Sequence, residues 1–141
     1  MGLVNNQLAY DQHLIWHEGY GKLFARDTQI GFCFEVRIPN YRGNYLSCIE
    51  SLEFTLDGEP IPEESISVLL NGKRFRIKDF PELFMEYWDA NDRAVCEVLC
   101  EKAVSGEHTL AATMRMRYAY SSYFGKCKVV TSRCEKTFSF D

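Results

Sequence analysis

The sequence predicts an antiparallel β-sandwich, on three observations. Apolar residues recur with period two along much of the chain, and turn-forming dipeptides punctuate those runs. Aromatic residues, which favour pleated half-buried surfaces over helices, make up 14% of the 141 residues. About eight or nine short strands with almost no helix bury their apolar faces best as a two-sheet sandwich or jelly-roll arrangement. The all-β domain is expected to take in the whole chain, 1–141, with no linker or repeat to divide it.

The elements follow in order. Residues 1–12 are polar and aperiodic, and read as a flexible or partner-docking arm. Leu14-Ile15-Trp16 and residues 22–26 are short β-prone runs. Over 31–38, Phe32, Phe34, Val36 and Ile38 face one way while Cys33, Glu35 and Arg37 face the other. Pro39 ends that strand because proline cannot donate to a ladder. Further strands are expected over 51–57, 66–70, 73–78, 94–101, 108–120 and 127–139. Asp57-Gly58 forms a turn, and Asn71-Gly72 is a hairpin signal because both residues accept positive φ. Asp79 reads as the cap of one helical turn through Glu82-Leu83-Phe84. In the long strand Leu110, Ala112, Met114, Met116, Tyr118 and Tyr120 share a face; in the last, Val130, Cys134, Phe138 and Phe140 do.

Charge and composition exclude several classes. A net charge of −4, a pI near 5.4 and the lack of a basic cluster argue against nucleic acid. No run of apolar residues is long enough for a membrane helix, and the first residues do not resemble a secretory signal. A cytoplasmic location with six reduced cysteines is the expectation. If Cys96 and Cys100 share a strand, their Cα atoms lie roughly 13 Å apart, beyond the roughly 7 Å that a disulfide tolerates.

Candidates for chemistry are sparse. His13 and His17 have helical zinc-ligand spacing, but no Glu follows His13 and no third ligand is placed. His108 reads as a turn or surface residue, and Glu35, Glu63 and Glu64 as solvated carboxylates. Arg115 and Arg117 suit an exposed or interface face. Neither a catalytic residue nor a metal site is expected on this chain. The segment that stands out is Arg37-Ile38-Pro39-Asn40-Tyr41-Arg42-Gly43. Tyr and Arg are enriched at interface hot spots, and Pro39 should present Tyr41 and Arg42 in a fixed direction. Arg37, Pro39, Asn40, Tyr41, Arg42 and Gly43 are therefore the candidate interface or pocket-covering loop; an ordinary strand exit is the plainer reading.

The stretch Gly31–Gly43, with Leu46-Ser47-Cys48-Ile49-Glu50 and Leu52–Glu59 after it, resembles the β subunit of bacterial C-glycoside deglycosidases. The matching pattern is Phe34, Val36-Arg37-Ile38-Pro39, Tyr41-Arg42-Gly43, then Ser47, Ile49-Glu50 and Asp57-Gly58. Asn71-Gly72-Lys73 and Gly106-Glu107-His108 fall in the expected order, so the likeness covers about 29 to 120, while 13–26 and 118–126 depart from it. The resemblance implies an obligate small subunit beside a TIM-barrel α subunit that holds a divalent metal, manganese (Mn2+). It further implies cleavage by the complex of the C–C bond between a 3-keto sugar and an aromatic, flavonoid-type aglycone. The small subunit's implied work is to stabilise the barrel and cover its pocket. A free-standing carbohydrate-binding or interaction module using Trp16, Trp88 or exposed Tyr is the alternative.

Overall fold

The computed structural model describes residues 6–118 and 128–141. Its strands are β1 Gly21–Ala25, β2 Thr28–Val36, β3 Asn44–Tyr45, β4 Ile49–Leu56, β5 Glu59–Pro60 and β6 Ile66–Leu70. They continue with β7 Lys73–Phe75, β8 Tyr87–Trp88, β9 Ala94–Leu99, β10 Gly106–Tyr118 and β11 Lys128–Phe140. Two antiparallel sheets, ordered β1-β2-β9-β6-β7 and β11-β10-β4-β5, carry the fold, and β3-β8 make a small third sheet.

Period-two alternation is what lets the two large sheets close on each other. Along β2, Phe32, Phe34 and Val36 are buried, and along β10 so are Leu110, Ala112, Met114, Met116 and Tyr118. The two layers meet through rings: Phe34 lies 5.0 Å from Phe54 of β4, and Phe32 lies 5.6 Å from Phe140 of β11, centroid to centroid. Each such ring, fully buried, contributes roughly 1.5–3 kcal/mol relative to exposure. The expected sandwich is therefore the observed one.

The Asn71-Gly72 hairpin forms as expected, with φ of +56° and +73° at its two turn residues and Leu70 paired to Lys73. Several boundaries differ from expectation. The strand expected over 73–78 stops at Phe75, because a 3₁₀ turn, Ile77–Glu82, begins two residues later and buries Ile77 and Phe80. Asp79 lies inside that turn instead of capping it; Arg76 holds the cap position without a side-chain bond. Strand β9 ends at Leu99, which leaves Cys100 outside it, although the Cys100 N–H still donates to the Ile30 carbonyl at 2.9 Å. Cys33, Cys48, Cys96, Cys100 and Cys134 are free thiols. Tyr120 and Cys127 lie outside the described residues.

The described part of the expected arm is helical and lies against β11. Residues Asn6–Asp11 form the short helix α1, and just after it the Gln12 carbonyl accepts a bond from Lys136 Nζ of β11 at 3.0 Å. The run Leu14-Ile15-Trp16 then lies along the end of β2. The Trp16 N–H donates to the Glu35 carbonyl at 2.9 Å, and the Arg37 N–H donates to the Leu14 carbonyl at 3.2 Å. Leu14 and Ile15 are completely buried there.

Candidate interaction site

The loop that leaves β2 divides into an inner and an outer part. Arg37 belongs to the inner part: its Nη2 and Nε donate to the Ala90 carbonyl at 2.9 and 3.3 Å. Its guanidinium also lies 4.8 Å from the centroid of the Trp16 ring, which Arg93 approaches to 5.7 Å. Pro39 and Asn40 are buried. Asn40 Oδ1 accepts the Arg42 N–H at 3.0 Å, an Asx turn that sets the direction of the next two residues. Tyr41 and Arg42 form the outer part and are exposed, Tyr41 at 61%. The Tyr41 ring stands 6.3 Å from that of Tyr10 in α1. Of the six loop residues, then, the structure brings Tyr41 and Arg42 to the surface and uses Arg37, Pro39 and Asn40 to hold them.

Gly43 closes the loop under a steric demand. A Cβ there would sit 2.3 Å from the Trp88 carbonyl oxygen and 2.7 Å from the Tyr87 hydroxyl, so only glycine admits the approach. The approach exists because β3 pairs with β8, Asn44 to Trp88 and Tyr45 to Tyr87.

Two-residue strands are marginal by themselves, and this pair is fixed from outside. Asn44 Nδ2 donates to the Arg117 carbonyl at 2.8 Å, and Asn71 Nδ2 donates to the Tyr87 carbonyl at 2.8 Å. The Leu46 N–H donates to the Glu86 carbonyl at 2.9 Å. Lys73 pairs with Glu86 and holds that carboxyl below the usual carboxylate range. Trp88 is wholly buried, with its Nε1–H donating to the Asp92 carbonyl at 3.0 Å. On top, the Tyr45 and Tyr87 rings meet edge-to-face at 5.1 Å, and both are exposed. Phe84 and Met85, in the turn just before β8, are exposed at 68% and 82%.

Sequence reasoning missed this aromatic shelf. The available signal was Phe84-Met85, two large apolar residues set in a polar, turn-prone stretch. Trp88, which the alternative reading needs at the surface, is core. Trp16 is half-buried against the two arginines and is not an open stacking face. His13 and His17 flank the Trp16 ring at 5.8 and 4.6 Å. Burial first, then Arg37 and Lys136, hold the His13 imidazole below its ordinary value. Glu35 faces Arg93 at 3.4 Å, and Arg117 is tied to Glu50 and to the Ser47 carbonyl. Among the described residues no three His, Cys, Asp or Glu side chains converge as metal ligands, and no helix is long and apolar enough to cross a membrane.

Fold and site together define a β-sandwich that exposes tyrosines on the loop after β2 and on the β3–β8 pair. The chain belongs to the family of C-glycoside deglycosidase beta subunits, which it matches over residues 10–120. That span includes 13–26, a segment that matches the pattern read in the sequence poorly. The chain is 31% identical over 86 residues to a C-glycoside deglycosidase beta subunit of Microbacterium trichothecenolyticum, covering 61% of this chain and 66% of the relative. A second such subunit, from Arthrobacter globiformis, is 34% identical over 76 residues, 54% of this chain and 56% of the relative. A 3'-dehydrocarminate deglycosidase beta subunit of a Microbacterium species is 28% identical over 96 residues, covering 68% and 73%. The chain thus spans less than two thirds of the length of the first two relatives.

Proposed function

We propose that this chain is the small subunit of a heteromeric deglycosidase that cleaves the C–C bond between a 3-keto sugar and an aromatic aglycone. Family membership over residues 10–120 carries the reading. The relative named for 3'-dehydrocarminate supports a dehydro, that is keto, substrate. In this reading the reacting groups belong to a TIM-barrel α subunit. The ketone acidifies the neighbouring sugar C–H; a base removes that proton, and the electron pair forms a C=C bond as the aryl carbon takes up a proton and leaves. A divalent metal, manganese, held by the α subunit supplies polarisation of the ketone. This chain contributes no ligand to it. Its own work is to stabilise the barrel and to border the pocket mouth with Tyr41 and Arg42, which Asn40 and Pro39 hold in place.

The test is reconstitution. Each subunit alone should leave a 3-keto C-glycoside intact, and the mixture should turn it over. Replacing Tyr41 and Arg42 together by Ala should leave the single chain folded, since Tyr41 is mostly exposed. Assembly or turnover should fall by a hot-spot amount of roughly 2 kcal/mol. Unchanged activity in the double variant would reduce the loop to a strand exit, and turnover by the α subunit alone would remove the subunit reading.

A further inference from the structure

The arm joins the sandwich at His13, and the chain is held unequally on the two sides of that joint. After it, Leu14 and Ile15 are completely buried, and Leu14 and Trp16 bond to the end of β2. Before it stands α1, six residues long, with no acidic residue in its first turn and no basic one in its last. A helix of that length is unstable alone in water, and Asp11 at its C-terminal end opposes its dipole. Tertiary contacts must therefore hold it. The Gln12 carbonyl accepts bonds from Lys136 Nζ at 3.0 Å and Cys134 Sγ at 3.8 Å. The Tyr10 ring lies 6.1 Å from that of His13 and 6.3 Å from that of Tyr41.

Two cations close in on His13. Lys136 reaches the carbonyl of the residue before it, and the Arg37 N–H reaches the carbonyl of the residue after it. The Arg37 guanidinium stands over the Trp16 ring, whose centroid is 5.8 Å from that of His13. Both cations direct their side-chain bonds to carbonyls, Arg37 to Ala90 and Lys136 to Gln12, which leaves their charges in place. The other ionisable groups nearby are Asp11, buried at the end of α1, His17 beside Glu18, Glu35 beside Arg93, and Tyr41 and Arg42 on the loop. Arg133 and Glu135 lie on the opposite face of β11 from Lys136.

A further positive charge is disfavoured there: burial first, then Arg37 and Lys136, hold the imidazole below its ordinary 6.5. A released arm leaves those neighbours behind and titrates at about 6.5. Docking favoured by the neutral ring is therefore complete above 6.5 and is lost as pH falls through the lowered value.

We propose that His13 is an acid-operated latch: its protonation detaches α1 and Gln12 from β11 and withdraws the Tyr10 ring from Tyr41, while the chain from Leu14 onward stays in place. The latch belongs to the single chain and does not rest on the subunit reading.

The experiment is an NMR titration of the full chain from about pH 8 to about pH 5. His13 should titrate below 6.5. The Asn6–Asp11 amide signals should move toward coil positions with the same midpoint, and the Tyr41 ring signals with them. Amides of β2 and β10 should not move. In His13→Asn the α1 signals should lose that pH dependence. Lys136→Gln keeps a donor for the Gln12 carbonyl without the charge, so the His13 midpoint should rise toward 6.5. Helical α1 signals throughout the His13 titration, the same transition in His13→Asn, or a wild-type midpoint at or above 6.5 overturns the latch. A Tyr41 ring that stays still while α1 leaves overturns the link to the loop. The wild-type titration decides even where a variant fails to fold, since β2 amides that move together with α1 would mean that the whole domain gives way and no latch exists.

Discussion

Arg37 shows how far a single side chain's role depends on residues distant in sequence. Its place on a strand exit beside Tyr41 and Arg42 suggests a contact residue. The fold instead turns its guanidinium inward, onto the Ala90 carbonyl and the Trp16 ring. A planar fork makes both contacts at once; an ammonium on a flexible stem keeps the charge but cannot reproduce the pair. Arg37→Lys should therefore cost about 1–3 kcal/mol in urea unfolding. It should also shift Trp16 fluorescence, with Trp88, buried against Asp92, contributing an unchanged component. A variant as stable as wild type would show that Arg37 does not hold the loop. Its inward direction was not legible in the sequence, because Ala90 and Trp16 meet it only through tertiary contacts. Tyr41 was legible, since a polar loop fixed by Pro39 leaves a tyrosine little apolar surface to cover.

At the scale of elements, strands were legible wherever alternation ran for five residues or more; the helical turn expected from Asp79 was legible too, but its start at Ile77 was not, because burial of Ile77 and Phe80 sets it. The junction of β4 with β10 adds a feature that His108, read as a surface residue, concealed. His108 Nδ1 lies 2.5 Å from Asp57 Oδ2, and Nε2 lies 2.8 Å from the Ser105 carbonyl. Two acceptors on one ring suit the imidazolium. The bond to Asp57 chiefly, and the Ser105 carbonyl after it, raise His108 above its ordinary 6.5, against some desolvation. Asp57 is held below its ordinary 3.8, first by the Thr109 N–H and then by His108. The His108 contribution is therefore complete below pH 6.5 and lost as pH rises through the raised folded value. The Asp57 contribution is present above pH 3.8 and lost as pH falls through the lowered one. Replacing His108 by Gln should lower the Tm most between about pH 4 and 6.5, with the gap to wild type closing in alkali. A gap that does not vary with pH would mean that the pair packs but does not titrate.

For the molecule as a whole, the sandwich was legible because each sheet repeats its in–out pattern with period two, as Phe32, Phe34 and Val36 do against Leu52, Phe54 and Met114. The shelf was not, because Tyr45 and Tyr87 come from strands of two residues, too short to show a period, and only the closed fold sets their rings together. The bond from Lys136 to the Gln12 carbonyl, noted above as a tether for the arm, has a consequence for colloidal behaviour. Strand β11 is thirteen residues long and stands at the outer edge of its sheet, where alternate N–H and C=O groups face away from β10. Such an edge is a template on which another chain can add a strand, and proteins blunt it with charge or by laying a segment across it. Arg133, Glu135 and Lys136 supply charge here, and Gln12 after α1 is held beside the strand by the Cys134 and Lys136 side chains. Deleting residues 2–12 should therefore keep the β-type circular-dichroism spectrum while light scattering rises steeply with protein concentration. A truncated chain that stays monomeric at high concentration would show that the charged side chains guard the edge without the arm.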